Sequence, residues 1–306
     1  MSAVPDARPA YRGRFAPSPT GPLHFGSLLA ALGSCLDARA HGGEWLLRIE
    51  DIDAPRNVPG AADLILRCLA DFGFEWDGPV RWQSERLDAY AAALDTLRRQ
   101  GRVYPCACSR REIADSGRPA IDGGVAYPGT CRSRALPALA ARAWRLRVDD
   151  RPTAFVDRLQ GELCQHLERD VGDFVLRRAD GQFAYQLAVV VDDAEQGITD
   201  VVRGADLIDS TPRQIWLQHC LGLPTPRYAH LPIATNAAGE KLSKQTLAPA
   251  LDSANAAATL VRALAFLGQT PPAALARASL AEVWQWARGH WNFAAIPRCR
   301  GLPVSF

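Results

Sequence analysis

The stretch RFAPSPTGPLHFGSLLAAL, residues 14–32, narrows the fold more than any other part of the chain. The aromatic and basic run YRGRF that leads into it predicts a short strand. Pro17 and Pro19 supply no backbone donors, so the strand has to stop there. Leu28, Leu29, Leu32 and Leu36 then recur at helical spacing. A strand, a proline-stiffened loop and a helix in so few residues predict a β-loop-α unit. Gly21 and Gly26 let a flat or anionic ligand approach the backbone closely. His24 and Ser27 stand where the helix begins, and unpaired N–H groups and the helix dipole favour a phosphate there. His24 can donate to a phosphate oxygen, although a lone His-x-Gly also fits an ordinary surface or core histidine.

The rest of the chain continues in an α/β texture. EWLLRIED (44–51) predicts a buried strand, and ADLILRCLADFGF and RLDAYAAALDTLRRQG predict two amphipathic helices, the second closed by Gly101. The opening third therefore has the order β-α-β-α-α. From Tyr104 to Arg134 the composition shifts to Gly, Pro, Cys and Arg without a period, which predicts a loop-rich insertion. AWRLRV, TAFVDRL and DFVLRR follow as short strands. FAYQLAVVVDDAEQGITDVVRG predicts a helix, a turn and a strand, and helices are expected at 254–267 and 280–289.

Of 35 basic residues, 33 are arginine, and the two lysines are Lys241 and Lys244. Arginine presents a planar fork, whereas lysine is a compact ammonium on a flexible stem. Their pairing predicts a loop that delivers an ammonium group to a phosphate, with coincidence as the alternative. The net charge of +2 predicts no nucleic-acid partner by itself. Residues 98–151, however, hold twelve arginines against five acids, a local net of +7 that leaves the remainder at −5. Such a segment suits an RNA backbone, or else a solvated face whose arginines pair with acids elsewhere. The eight cysteines are scattered and the chain is long enough to bury a core, so reduced thiols and a cytoplasmic location are expected. MSAVPDARPA lacks the apolar region of a secretory signal. No apolar run approaches the ~20 residues of a membrane helix, so no membrane partner is expected.

The run PSPTGPLHFG together with KLSKQ resembles the two signature motifs of the class I aminoacyl-tRNA synthetases. LRIEDIDAPR (47–56) and YQLAVVVDDAEQGITDVVRGADL (185–207) resemble the glutamyl-tRNA synthetase branch. Two positions depart from the class pattern: Ser27 replaces a histidine of the first motif, and Gln245 replaces the last serine of the second. The resemblance implies a Rossmann-type parallel sheet over 1–104 and 184–245. A zinc-containing α+β insertion over 105–183 would split it, and a helical region over 246–306 would follow. It implies that Arg14, Phe15, Ala16, Pro17, Ser18, Glu50, Tyr185 and Arg203 bind glutamate, with Glu50 on the substrate ammonium. His24, Gly26, Ser27, Lys241 and Lys244 would bind ATP, with His24 and Lys244 catalytic and Mg²⁺ arriving on the nucleotide. For Arg203 and Glu50, each near a strand end, an ordinary salt bridge is the plain alternative.

Only some 60 residues follow Lys244, which is expected to leave no room for an anticodon-binding domain. The chain therefore resembles the truncated paralogue family, the glutamyl-queuosine tRNA(Asp) synthetases. That resemblance implies ligation of L-glutamate, activated by ATP without tRNA, to queuosine in tRNA(Asp), by a monomer. A conventional glutamyl-tRNA synthetase and a non-catalytic RNA- or zinc-binding module are the alternatives. Cys106, Cys108 and Cys131 give a moderate zinc signal in the insertion. The related synthetases place a tyrosine four residues before the last cysteine, which makes Tyr127 the fourth ligand. Asp122, Cys164 or water compete for that place, and three unliganded thiols remain the bland alternative.

Overall fold

The computed structural model describes residues 10–121, 123–138, 141–236, 239–242 and 249–304. It opens with β1 (Arg12–Phe15), α1 (Phe25–Ala40) and β2 (Glu44–Ile49). β1 and β2 pair in parallel, Arg12 opposite Glu44 and Phe15 opposite Leu47. α2 (Ala61–Asp71) leads into the short β3 (Arg81–Trp82), which extends the parallel sheet beside β2, and α3 (Leu87–Arg99) follows. Gly101 stops that helix with φ 67°, a conformation open to glycine at little steric cost.

The middle of the chain contains β4 (Val103–Cys106), α4 (Arg110–Ser116), β5 (Arg118–Pro119), β6 (Val125–Ala126) and β7 (Ala143–Leu146). Then come β8 (Pro152–Asp157), β9 (Gly161–His166), α5 (Leu167–Asp170) and β10 (Phe174–Arg177). β10, β7 and β4 form an antiparallel sheet, and β5 pairs with β6. The stretch expected to be mostly loop holds α4, which starts with a capping box. The Ser109 hydroxyl accepts from the Glu112 N–H, and the Glu112 carboxylate accepts from the Ser109 N–H.

The β8–β9 hairpin does not stay with the other insertion strands. β8 joins β12 in parallel through Asp157 and Tyr228. A strand predicted inside the insertion thus belongs to the sheet of the second α/β half. That half runs through α6 (Tyr185–Glu195), β11 (Asp200–Gly204), α7 (Thr211–Leu221), β12 (Arg227–Leu231) and β13 (Ile233–Thr235). α8 (Ala256–Phe266) and α9 (Leu280–His290) pack on α1, and β14 (Gly301–Pro303) pairs with β13.

The halves meet along β1 and β11. The Thr199 N–H donates to the Arg12 carbonyl at 2.9 Å, and the Arg12 N–H donates to Thr199 Oγ1 at 2.8 Å. The chain leaves β1 toward β2 on one side and later returns to β11 on the other, so this seam is a topological switch point. Open α/β sheets bind ligands at the carboxyl ends of the strands at such a point. α1 lies across both halves, with Leu28, Leu29, Leu32 and Leu36 all essentially inaccessible. Each such burial contributes roughly 1.5–3 kcal/mol. Gly33 permits the close approach: a Cβ there would meet Leu231 Cδ1 at 2.6 Å. Among the described residues no helix is long and apolar enough to cross a membrane.

Candidate active site

A cavity of about 200 Å³ opens at the carboxyl ends of β1 and β11. Arg14, Phe15, Ala16, Glu50, Tyr185 and Arg203 line it, together with His24, Gly26, Ser27 and Lys241. Sequence elements far apart in the chain are thereby brought together. Pro17 and Ser18 do not reach this wall. The Pro17 carbonyl accepts from the Glu50 N–H at 3.0 Å, and the Ser18 carbonyl accepts from the Thr20 N–H at 2.8 Å. They shape the loop that carries the lining residues.

His24 is the N-cap of α1, and its Nδ1 accepts from the Ser27 N–H at 3.4 Å. In the neutral ring this leaves the proton on Nε2, a donor. Gly26 fits under the ring: a Cβ at that position would lie 3.0 Å from His24 Cε1. Lys241 reaches the cavity while its Nζ donates to Asp206 Oδ2 at 2.6 Å. Lys244, expected to be catalytic, lies outside the described residues, as does Gln245. The segment's described flanks are beside the cavity. Leu242 lines it, and Ala250 bridges to His24.

Behind the cavity lies a buried charge network that sequence reasoning found only in part. Arg14 pairs with Asp193 through two hydrogen bonds of 3.1 and 3.2 Å. Arg48 pairs with Asp193 at 2.8 Å and with Glu50 at 3.1 Å, and also donates to Gln196. Burial pushes the Glu50 carboxyl up, while Arg48 and then Arg14 pull it back, leaving a net rise. Burial acts the same way on Asp193, but Arg14 and Arg48 together outweigh it and hold that carboxyl below its ordinary range. Arg48 and Asp193 had no place among the expected site residues. The signal available for them was charge inside otherwise apolar runs, RIE on β2 and VVVDDAE on α6.

Arg203 is framed differently. Its Nε donates to His230 Nε2 at 3.1 Å, Nη2 donates to Thr211 Oγ1 at 2.8 Å, and Nη1 lies 3.5 Å from the Tyr185 hydroxyl. The residue is only 5% exposed, and among the described residues no carboxylate pairs with it. The ordinary salt bridge considered for Glu50 is present, to Arg48; that considered for Arg203 is not.

A second cluster sits in the insertion. The Sγ atoms of Cys106, Cys108 and Cys131 all lie within 4.8 Å of one another, with Cys108 and Cys131 at 3.5 Å. The Tyr127 hydroxyl is 3.4 Å from Cys106 Sγ and 3.5 Å from Cys108 Sγ, and accepts from the Cys131 N–H at 2.8 Å. Burial raises the Cys131 thiol, but donors led by Tyr127 and the Ala107 N–H bring it down to about 7. Burial raises Cys108, to about 11. Tetrahedral zinc with Zn–S bonds of ~2.3 Å sets sulfurs ~3.8 Å apart, so three thiols already this close fit the group. Cys164 is exposed on β9 and outside the cluster, and Asp122 lies outside the described residues.

The profile described as "tRNA synthetases class I (E and Q), catalytic domain" matches residues 10–276. A Glutamyl-Q tRNA(Asp) synthetase from Dechloromonas aromatica is 71% identical over 289 residues, 94% of this chain and 96% of that protein. One from Aromatoleum aromaticum is 62% identical over 96% of this chain and 93% of its own length. Among solved structures, a glutamate tRNA ligase from Elizabethkingia meningosepticum, in complex with its amino acid, superposes with a TM-score of 0.79 at 27% identity. That match covers 97% of this chain and 67% of the ligase.

Proposed function

Because the chain belongs to the class I tRNA synthetases (E and Q), in their glutamyl-Q tRNA(Asp) synthetase branch, and is thus a ligase, we propose that it activates L-glutamate with ATP without tRNA. In the second step it transfers the glutamyl group to the cyclopentenediol of queuosine at the wobble position of tRNA(Asp). The observation that carries the glutamate part is Arg203, a buried guanidinium in the cavity wall that pairs with no carboxylate among the described residues. A buried charge without a partner is costly, and a substrate carboxylate supplies the partner in the bidentate geometry arginine favours. Glu50, on the same wall, takes the ammonium group.

The α-carboxylate of glutamate attacks the α-phosphorus of ATP in line and pyrophosphate leaves. Negative charge grows on phosphate oxygens, where His24 Nε2–H and the Gly26 N–H at the start of α1 donate. Mg²⁺ arriving on ATP would supply further charge screening there. A hydroxyl of the queuosine ring then attacks the activated carbonyl carbon and AMP leaves. The test is labelled glutamate with ATP and two forms of tRNA(Asp), with and without queuosine. Label should enter the queuosine-containing form alone, within the anticodon loop, and pyrophosphate exchange should run with no RNA present. Label on the 3′ terminal nucleotide would replace this reading with conventional charging.

The insertion cluster suits a structural Zn²⁺ held by Cys106, Cys108, Cys131 and Tyr127, where the ion would pin a segment with a small core of its own. One equivalent of zinc is expected per chain. Chelation should lower the melting temperature and open residues 105–135 to proteolysis. A metal-free preparation with unchanged melting would remove the zinc assignment.

A further inference from the structure

The strand order brings a residue of the insertion beneath the cavity. Asp157 ends β8 at the register pair through which β8 meets β12. Its carboxylate oxygens face different ways. Oδ1 accepts from the backbone N–H groups of Leu159 and Gln160, each at 3.0 Å, and of His230 at 3.1 Å. Oδ2 faces His230 Nδ1 at 2.6 Å. On the far side of the ring, Nε2 meets the Nε–H of Arg203 at 3.1 Å. A guanidinium nitrogen can only donate. Nε2 therefore accepts, and the ring proton sits on Nδ1, donated to Asp157. Asp157 and His230 are both buried. Burial is the largest influence on the ring and, with Arg203 alongside, outweighs the Asp157 hydrogen bond, so His230 is pushed down to about 4 and stays neutral.

We propose that Asp157 and His230 are positioning residues for glutamate activation: Asp157 fixes the His230 tautomer, and His230 grips Arg203 by its Nε so that the guanidinium meets the substrate carboxylate. The proposal rests on the reading of Arg203 as the carboxylate-binding group. It also makes a strand of the insertion part of the frame of the amino-acid pocket. The simpler role for the pair is to fasten the β8–β9 hairpin to the sheet, and the two roles separate experimentally.

In Asp157→Asn the amide oxygen has to keep the side occupied by Oδ1, because three N–H groups point at it. The amide NH₂ then faces His230 Nδ1, which must accept, and the ring proton moves to Nε2. Donor now faces donor at Arg203. Glutamate KM in pyrophosphate exchange should rise roughly tenfold to a hundredfold, the scale of a lost hydrogen bond to a charged group, while ATP KM and melting temperature hold. His230→Leu removes the ring that links Asp157 to Arg203. In that background Asp157→Asn should add no further rise. Unchanged glutamate KM in Asp157→Asn, or the same rise in both backgrounds, overturns the proposal.

Should Asp157→Asn fail to fold, His230→Leu against His230→Gln decides the matter. A high glutamate KM restored by the glutamine supports positioning, and equal values refute it. Arg203→Ala is measured alongside. If it is impaired while Asp157→Asn is normal, only the positioning role fails. If it binds glutamate normally, the carboxylate reading and the proposal fail together.

Discussion

Arg203→Ala should reduce glutamate-dependent pyrophosphate exchange by roughly two to three powers of ten, mostly through glutamate KM. Truncating one partner of a buried charge pair costs about 2–5 kcal/mol, because the other charge is left desolvated and alone. Here that other charge belongs to the substrate, so the loss falls on binding and activation while the fold is spared. The free protein is relieved of a cost, since alanine removes a 5%-exposed cation that pairs with no acid among the described residues. The variant should therefore melt no lower than the parent. Arg203→Lys should recover little, since an ammonium cannot reproduce the fork that meets His230, Thr211 and the ligand together. Steady-state exchange kinetics with glutamate varied at fixed ATP provide the check. Exchange within a few-fold of the parent would detach Arg203 from the substrate.

Asp193→Ala should have the opposite profile, with stability as the main loss. Asp193 neutralises two arginines at once, Arg14 from β1 and Arg48 from β2. Arg48 is fully buried, so it cannot turn to water when its partner goes. Breaking a buried pair from one side costs roughly 3–5 kcal/mol, a large share of the 5–15 kcal/mol that holds a typical domain together. Urea denaturation measures this directly, and a change below about 1 kcal/mol would show that Glu50 and Asp192 take over the charge. The same pair sets an acid limit. The folded-state pKa of Asp193 is depressed, so its contribution is present above the unfolded carboxylate pKa of about 3.9 and is lost as pH falls through the lower folded value. Asp193→Ala should accordingly flatten the parent's loss of stability at the acid end.

Much of this arrangement was legible in the chain, for identifiable reasons. Leu28, Leu29, Leu32 and Leu36 announce α1 because a helix that crosses a sheet seam buries a wide apolar face. Pro17 and Pro19 mark the end of β1 through a missing donor. Three cysteines and Tyr127 converge, although 24 residues separate Cys106 from Cys131. The misses were of another kind. Ser109 and Glu112 spell a capping box, so α4 was readable, but an aperiodic Arg- and Cys-rich background hid it. Arg48 and Asp193 sit in strand and helix runs where a single charge reads as a solvent-facing residue, and only tertiary packing places them inside. Pro17 and Ser18 share a motif with cavity residues but are not among the residues lining the cavity, because a motif marks a loop and not the surroundings of each side chain.

The attachment of β8 to β12 has a consequence for building hybrids of this enzyme. Grafting a foreign segment in place of 105–183 would exchange the carboxylate that meets His230 along with it. A donor lacking an acid at the position of Asp157 should deliver a chimera that handles glutamate poorly. On the proposed role of Asp157, an exchange of the insertion therefore also exchanges part of the frame that holds Arg203.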